Sequence, residues 1–391
     1  MTVTLIGCGC GSLTCDARAA IDSAELVIGS SRLLKEYGDG KQQTEAVTVP
    51  AIKAAIEGAV CEKICVLYSG DSGFYSGARL LLPELEGYYV RVLPGVSSVQ
   101  AFAARLKRPW QDWLLRSAHG VECDAVAAVC QGRPAFFLTG GKAGPAEICR
   151  ELTDAGLGFL KVYIGEDLGT AYERITEGTA AAFSAGDFSL LSVLLAEPAP
   201  RYPRRVSGIP DTAFLRAEKV PMTKREIRAA ILAELAVTPE DVCWDIGTGT
   251  GSAAIELALS CRAVYSVERE GAALDIAAQN RERFGAWNLR LVKGEAPAAI
   301  LELPKPDAVF VGGSNGKLDE IVNVIHAANP DARICVSAIT IEGLHNSYTA
   351  LRELGYETEV TQLSVSRSKP AGGLTLMLAQ NPVWLITGYR A

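Results

Sequence analysis

The length, composition and charge of this chain exclude several classes of protein. Its 391 residues exceed the roughly 150 residues of one typical domain, so we expect two domains. Hydrophobic residues make up 49% and charged residues 21% of the chain, as in ordinary globular proteins, which excludes intrinsic disorder and fibrous repeats. The formal charge of −7 disfavours a protein that neutralises many nucleic-acid phosphates, so an anionic ligand would have to meet local basic clusters.

The first half of the chain alternates short apolar runs with loops of small residues. Four predicted strands, each followed by such a loop, lie at 3–6 with 7–11, 63–68 with 69–73, 89–93 with 94–98, and 134–138 with 139–141. In open α/β sheets ligands bind outside the carboxyl ends of the strands. The loops therefore predict one ligand cleft, although tight turns would account for the same glycines.

Cysteines are frequent but scattered. Their number, eleven, is odd, and a chain of this size does not need disulfides, so we interpret them as reduced thiols of a cytoplasmic protein. Cys8, Cys10 and Cys15 suggest a metal site as an alternative, but two of them fall in a glycine-rich loop, and we predict no metal. No apolar run approaches the ~18 residues of a membrane span, so we expect a soluble protein.

A proline-rich connector separates two α/β patterns. Residues 197–210 contain four prolines and three arginines, a composition that favours an extended link. We predict one domain over 1–202 and a second over 209–391.

The second half places a glycine-rich turn between a strand and a helix. The predicted strand 242–246 leads into Gly247-Thr-Gly-Thr-Gly251, and Glu268 closes the next strand, where a carboxylate can accept hydrogen bonds from ribose hydroxyls. The last glycine comes one residue early for the dinucleotide pattern. Asp245 adds a carboxylate near the loop, which suits a cationic or zwitterionic ligand better than a pyrophosphate. We therefore predict a class I S-adenosylmethionine site, with an NAD-type site and a structural turn as alternatives.

On these motifs the second half resembles the precorrin methyltransferases of cobalamin biosynthesis that methylate C15 and decarboxylate. The matching segments are 220–223, 245–251, Glu268, 294–297, 311–316 and 380–383. The first half is similar to the tetrapyrrole methylase family, in particular to the enzymes that methylate C5 of a precorrin. The matching segments there are 7–11, 69–73, 94–98, 117–120, 138–141 and 165–169. The family usually has proline where Cys10 and Ser72 stand, and both replacements are compatible with turns.

The order of the two halves resembles the bifunctional, decarboxylating precorrin-6Y C5,15-methyltransferase family. The resemblance implies an α/β chain with an N-terminal two-part tetrapyrrole methylase fold, followed by a C-terminal Rossmann-like class I methyltransferase domain. It implies S-adenosyl-L-methionine-dependent methylation at C5 and C15 of a precorrin-6B or cobalt-precorrin-6B type macrocycle. Loss of CO2 from the C12 acetate would give a precorrin-8 type product. A homo-oligomer is also implied, with no nucleic-acid or membrane partner.

The resemblance also implies site residues. Gly313, Ser314 and Asn315 would position the substrate and the methyl group, although a simple glycine turn is the alternative. Cofactor contacts would come from Thr223, Gly247, Thr248, Gly249, Thr250, Gly251, Glu268 and Ala296 in the second half, and from Gly9, Gly70, Asp71, Ser72, Ser97, Ser98 and Thr139 in the first. Substrate carboxylates would meet Lys224, Arg225, Arg367, Lys369, Arg108 and His119, for which solvated surface charges and a buried histidine are the alternatives.

Two other functions remain open at this point. The chain could methylate another large acceptor, such as RNA or a protein, with its first half as a recognition module, or it could be a non-enzymatic tetrapyrrole carrier. Only three histidines are present, and they form no convincing arrangement for nucleophilic catalysis. Methyl transfer fits this composition because it requires alignment of the methyl group with its acceptor more than a nucleophile from the enzyme.

Overall fold

The computed structural model describes residues 1–119, 123–141, 143–200 and 207–390. The chain divides into two compact units. Unit 1 comprises Met1–Val129 and Arg133–Pro198, and unit 2 comprises Cys130–Gly132 and the chain from Ala199 onward. The predicted domain ends at Tyr202 and Ala391 lie outside the described residues, so the predicted boundaries stay predictions.

Unit 1 begins with a parallel sheet. Its strands are β1 (Thr2–Cys8), β2 (Leu26–Gly29), β3 (Gln42–Glu45), β4 (Lys63–Ser69) and β5 (Tyr89–Leu93), and the intervening helices are α1 (Cys15–Ser23), α2 (Ser31–Tyr37), α3 (Val49–Glu57) and α4 (Ala78–Leu81). The strand order is β3-β2-β4-β1-β5, with every pairing parallel. The interior strand β1 is buried from Val3 to Cys8, because helices cover both faces of such a sheet. The loops after β1, β4 and β5 consequently share one edge of the sheet.

A second sheet completes unit 1. Its strands are β6 (Leu114–Ser117), β7 (Ala135–Leu138), β8 (Lys161–Glu166), β9 (Arg174–Thr179) and β10 (Ser192–Ala196), with helices α5 (Ser98–Leu106), α6 (Ala125–Val129), α7 (Pro145–Leu152) and α8 (Ala180–Phe183). The order is β6-β7-β10-β8-β9, and the three pairings beyond β6–β7 are antiparallel. Phe102 of α5 packs with Trp113 and Phe136 in its core. Unit 1 is thus built in two parts, as predicted.

Unit 2 contains a seven-stranded sheet. Its strands are β11 (Val242–Ile246), β12 (Ala263–Glu268), β13 (Leu289–Lys293), β14 (Ala308–Val311), β15 (Arg333–Ala338), β16 (Glu357–Leu363) and, after a separate hairpin of β17 (Ser366–Ala371) and β18 (Leu374–Ala379), β19 (Val383–Tyr389). The helices are α9 (Arg225–Leu235), α10 (Ser252–Ala258), α11 (Gly271–Phe284), α12 (Leu318–Ala328) and α13 (Ile341–Glu353).

The strand order of this sheet is β13-β12-β11-β14-β15-β19-β16. The first five strands are parallel, and β19 runs antiparallel to both of its neighbours. In chain order, β11, β12 and β13 lie progressively closer to one edge of the sheet. The next strands, β14 and β15, lie on the other side of β11, so the strand order reverses between β11 and β14. Ligands bind at such a reversal in doubly wound sheets. The α/β class and the Rossmann-like organisation of the second half are confirmed.

None of the helices in the described ranges combines the length and apolar character that crossing a bilayer requires.

Candidate functional site

A cavity of about 680 Å³ opens in unit 2 at the carboxyl ends of β11, β12 and β14. Nine of the residues predicted from the sequence line it: Thr223, Gly247, Thr248, Gly249, Glu268, Ala296, Gly313, Ser314 and Asn315. Thr250 and Gly251 do not line the cavity: the side chain of Thr250 is buried, and Gly251 packs against Ala277 of α11. Segments far apart in sequence therefore converge at the point where the strand order reverses.

The loop after β11 requires glycine because of its backbone conformation and close contacts. Gly249 has a φ of +55°, and a Cβ there would lie 2.4 Å from the carbonyl oxygen of Pro221. Gly247 has a φ of +85°, and its Cβ would lie 2.9 Å from the amide nitrogen of Gly313. Left-handed backbone is unfavourable for residues with a side chain. The loop can approach Pro221 and Gly313 this closely only if Gly249 and Gly247 carry no side chain.

The amide groups of this loop distinguish between the predicted ligands. Every N–H from Gly247 to Gly251 already donates to a protein acceptor. The acceptors are Val267 O for Gly247 (3.0 Å) and Thr248 (3.4 Å), Glu268 Oε2 for Gly249 (3.0 Å), Pro221 O for Thr250 (3.1 Å) and Thr248 O for Gly251 (3.0 Å). A pyrophosphate is held by free backbone N–H groups, and this loop offers it none. The geometry therefore disfavours the NAD-type alternative.

Glu268 is fixed at the rim of the cavity by backbone hydrogen bonds. Its Oε1 accepts from the amides of Arg269 (2.9 Å) and Glu270 (3.0 Å), and its Oε2 accepts from the amide of Gly249. A carboxylate has about four acceptor positions, so one position on Oε2 is left for a ligand hydroxyl. This arrangement fits the hydroxyl of a ribose.

The charged residues of the cavity lining are mostly acidic. Glu218, Glu268, Glu270 and Glu295 line the cavity together with the basic residues Lys219 and Arg269. Four carboxylates against two cations give a net negative lining, which favours a cationic ligand such as a sulfonium.

Asp245 lies near the loop, as the sequence indicates, but it does not line the cavity, so it is not placed to favour a cationic ligand by direct contact. The residue is 1% exposed, and its Oδ2 accepts from Ser266 Oγ (2.6 Å) and Thr248 Oγ1 (3.1 Å). Its Oδ1 is buried and has no hydrogen-bond partner among the described residues. Burial raises the pKa of Asp245 to about 6 against the opposing effect of these hydroxyls, and Glu268 adds to the rise. The carboxyl of Asp245 therefore stabilises the glycine loop through its hydrogen bond with Thr248 instead of contacting a ligand.

A buried arginine, which the sequence interpretation missed, fixes the segment above the loop. Arg228 of α9 is fully buried and donates to Asp211 Oδ1 (2.9 Å), to Glu256 Oε1 (2.9 Å) and to the carbonyl of Thr223. The same segment gives the loop its contact at Pro221. The sequence did contain a signal for this burial, since Arg228 lies between the apolar residues Ile227 and Ile231 on one helix.

The four predicted substrate cations of unit 2 are not gathered at the cavity lining. Arg367 of β17 pairs with Asp211 (2.9 Å) and with Glu226. Burial alone would raise the pKa of Asp211, but Arg367 and Arg228 outweigh it and hold that pKa below its usual value. Arg225 pairs with its neighbour Glu226 (3.0 Å). The arginines are thus held in ion pairs within the protein.

The two lysines among the predicted substrate cations of unit 2 are placed differently from the arginines. Lys224 is the residue before α9, and Lys369 is exposed on β17. Substrate roles for all four cations stay predictions.

In unit 1 the loops after β1, β4 and β5 touch through their backbones. A Cβ on Gly95 would lie 2.4 Å from the carbonyl oxygens of both Gly7 and Gly70, and a Cβ on Gly9 would lie 2.2 Å from the amide of Val96. Asp71 links the loops, since its Oδ1 accepts from Gly73 N (2.9 Å) and its Oδ2 from Gly95 N (3.1 Å). The three predicted loops therefore form one surface.

The predicted hydroxyl contacts of unit 1 are mostly engaged within the protein. Ser72 Oγ donates to Leu93 O (3.2 Å), Ser97 caps α5 by accepting from Gln100 N (3.3 Å), and Thr139 Oγ1 donates to Ser192 O (2.5 Å). Ser98 begins α5 and is half-buried. Such residues shape the loops, and a ligand would meet mainly backbone groups there.

The second sheet of unit 1 contributes a further loop to this surface. A Cβ on Gly169, whose φ is +80°, would lie 2.4 Å from the carbonyl of Cys10, so 165–169 packs on the loop after β1. His119 is exposed and lies against Gly140, with Nδ1 3.4 Å from Thr139 O. Arg108 pairs with Glu197 (2.5 Å), so its charge is balanced, and substrate contacts for it and for His119 stay predictions.

The thiols of the first loop are not activated. Cys8 is buried at the end of β1, and burial raises its pKa to about 12. Burial likewise raises the pKa of Cys10. In the parts of the chain that the structure covers, no three His, Cys, Asp or Glu side chains are grouped as metal ligands.

A Rossmann-like unit with this cavity defines a class I methyltransferase domain, and comparison with known proteins identifies the family. The family model of tetrapyrrole (corrin/porphyrin) methylases matches residues 2–183, and that of the precorrin methyltransferase domain matches residues 214–388. The chain is 33% identical over 319 residues to the precorrin-6Y C(5,15)-methyltransferase [decarboxylating] of Sinorhizobium sp, an alignment that covers 80% of this chain and 76% of that protein. This chain belongs to the family of decarboxylating precorrin-6Y C(5,15)-methyltransferases.

Two further comparisons cover about half of the chain. A probable cobalt-precorrin-6B C(15)-methyltransferase (decarboxylating) of Pyrobaculum calidifontis is 41% identical over 192 residues, covering 48% of this chain and 98% of that protein. The crystal structure of a precorrin-6y C5,15-methyltransferase from Geobacter metallireducens is 34% identical, covers 49% of this chain and 100% of that one, and superposes with a TM-score of 0.46.

Proposed function

We propose that this chain is a bifunctional methyltransferase of cobalamin biosynthesis. Unit 1 methylates C5 of a precorrin-6B or cobalt-precorrin-6B type macrocycle, and unit 2 methylates C15 and removes CO2 from the C12 acetate. The observation that carries the proposal is the cavity of unit 2, whose loop offers no free amide to a phosphate and whose lining is acidic. The two family matches in the same chain, in this order, support it.

S-adenosyl-L-methionine is the cofactor that the cavity of unit 2 fits. When bound, it supplies an electrophilic methyl group on a sulfonium. Glu268 accepts a ribose hydroxyl through the free position on Oε2, and Ala296 lines the same cavity. Gly313, Ser314 and Asn315 follow β14 and also line the cavity, and we place the acceptor carbon beside them. The protein contributes alignment and exclusion of water, which is what a displacement at a methyl group requires.

The cofactor of unit 1 binds at the surface that the three loops form together with 165–169. Because the hydroxyls of Ser72, Ser97 and Thr139 are engaged within the protein, the cofactor contacts there are mainly to the backbone. Asp71 holds the loops after β4 and β5 together, because it accepts hydrogen bonds from backbone amides of both loops.

Turnover of a precorrin-6B substrate, followed by mass spectrometry, tests this function. The expected product gains two methyl groups and loses one CO2, and the assay is run with metal-free and cobalt-containing substrate in parallel. Calorimetry with S-adenosylhomocysteine should show two sites per chain. One site only, or a product that gains a single methyl group, would contradict the assignment of two methyltransferase sites.

Assembly into a homo-oligomer forms part of the proposal, and the hairpin of β17 and β18 supports it. Leu374, Leu376 and Met377 are 71%, 48% and 66% exposed on this hairpin. A two-stranded hairpin is marginally stable alone, and clustered exposed apolar residues mark contact surfaces. In light scattering, Leu376→Glu should lower the molecular mass to that of a smaller assembly. Val60→Glu, at a position that is fully exposed in unit 1, is the control and should leave the mass unchanged. A wild-type chain that sediments as a monomer would refute this part.

A further inference from the structure

A second cavity lies beside the cofactor cavity of unit 2. Its volume is about 310 Å³, and it lies at the carboxyl ends of β14 and β15, against the first turns of α12 and α13. Gly313 and Ser314 line both cavities, so they form the wall between the two. We call it the side cavity.

The lining of the side cavity is mainly polar. Ser337, Asn346 and Thr340 offer hydroxyl and amide groups, and Asp319 is the charged residue of the lining. Of the described residues that line it, none is Lys, Arg or His. This composition is unusual for a site that would meet a polycarboxylate.

A carboxylate that must stay bound and one that must leave need different surroundings. Arg and Lys stabilise a carboxylate through charge-assisted hydrogen bonds, and such a bond would oppose decarboxylation. The negative charge has to leave the carboxylate while the C–C bond breaks, so the barrier falls where the anion is poorly solvated. A nearby carboxylate raises the energy of the bound anion further through like-charge repulsion. The side cavity meets the electrostatic part of these conditions: the described residues of its lining include no cation to hold the anion, neutral donors can orient the group, and Asp319 can repel it.

We propose that the side cavity receives the acetate arm that loses CO2. This inference rests on the proposed function and deepens it. Ser337 and Asn346 orient the arm by neutral hydrogen bonds, and Asp319 faces its carboxylate. The bond between the methylene carbon and the carboxylate breaks, CO2 leaves, and the electron pair enters the conjugated macrocycle. A proton from water then reaches the methylene carbon, which becomes a methyl group.

The position of the side cavity suits the geometry of the substrate. C12 belongs to the ring of the macrocycle that is bonded directly to C15. A macrocycle bound with C15 at the wall of Gly313 and Ser314 would therefore bring the C12 arm to the far side of that wall. One bound orientation serves both reactions of unit 2.

Two substitutions test the side cavity in the full-length enzyme. Asn346→Lys introduces the cation that the cavity lacks, and Asp319→Asn removes the repelling charge without changing its size. The mass of each product shows methyl groups gained and CO2 lost as separate changes in one sample. We expect Asn346→Lys to slow decarboxylation relative to C15 methylation on the order of tenfold, and Asp319→Asn to slow it several-fold.

The controls are neighbouring residues outside the lining. His345→Lys adds the same charge one residue away, and Glu320→Gln removes an exposed carboxylate next to Asp319. Both should leave the ratio of decarboxylation to methylation unchanged, and all four variants should bind S-adenosylhomocysteine in unit 2. The inference is overturned if Asn346→Lys and Asp319→Asn reduce both reactions equally or neither. A wild-type enzyme that transfers no methyl group would instead overturn the proposed function itself.

Discussion

Replacement of Gly249 by alanine should separate cofactor binding from stability in unit 2. An alanine at a φ of +55° costs about 1–2 kcal/mol in strain. Its Cβ would also lie 2.4 Å from Pro221 O, which must move away. That oxygen accepts from Thr250 N at 3.1 Å, a hydrogen bond worth about 0.5–1.5 kcal/mol. The total is about 1.5–3.5 kcal/mol, which would lower the affinity roughly 10- to 300-fold if the whole of it opposes binding.

Two further glycines give matched controls in the same unit. Gly355 has a φ of +80° but meets only the flexible end of Arg390, at 3.3 Å, so Gly355→Ala tests strain without a backbone collision. Gly271 lies at the start of α11 with open space around it, so Gly271→Ala should be neutral or stabilising by about 0.4–1 kcal/mol. Neither control should weaken binding.

The assay combines calorimetry with S-adenosylhomocysteine and hydrogen exchange of the β11 amides, which reports on unit 2 within the full chain. Gly249→Ala should lose affinity in unit 2, exchange protection in β11, or both, by amounts that sum to the worked total. If Gly249→Ala matches Gly271→Ala in both measurements, the close approach of Pro221 to the loop has no energetic consequence and the reasoning fails.

Three other predictions concern polar side chains that are held by hydrogen bonds or ion pairs within the protein. The pKa of Asp245 rises from 3.8 to about 6 on folding, so the native state binds more protons between these values, and stability should fall by about 3 kcal/mol as the pH rises through that range. Asp245→Asn should abolish this fall in urea unfolding from pH 4 to pH 8, whereas an unchanged slope would contradict the assignment. Arg228→Met leaves Glu256 in the core without its cation and should cost about 3–5 kcal/mol of stability, and a midpoint of urea unfolding equal to wild type would refute this. The two oxygens of Asp71 accept from Gly73 N and Gly95 N, so Asp71→Asn places an amide donor against one of these N–H groups; C5 methylation should fall while C15 methylation persists, as product masses would show.

Features that depend on local backbone conformation could be predicted from the amino-acid sequence. The glycines of 247–251 and the carboxylate of Glu268 follow from the spacing of a strand, a tight turn and a helix, and the structure places Gly247, Gly249 and Glu268 around one cavity. The alternation of strands and helices likewise sufficed for the α/β class, because hydrophobic periodicity reflects which faces are buried.

Which polar groups are free to meet a ligand depends on contacts between distant segments, and these could not be predicted from local patterns. Arg367 was a candidate for substrate binding on its charge, but Asp211, 156 residues away in the chain, is its partner. Asp245 adjoins the glycine loop in sequence, yet the pleat of β11 turns its side chain into the core, where Ser266 holds it.

The side cavity combines segments from two strands and two helices, and no local pattern marks it. A short stretch of chain fixes its own backbone conformation through local sterics and hydrogen bonds. The partner, burial and pKa of a charged side chain depend instead on which distant segments pack against it.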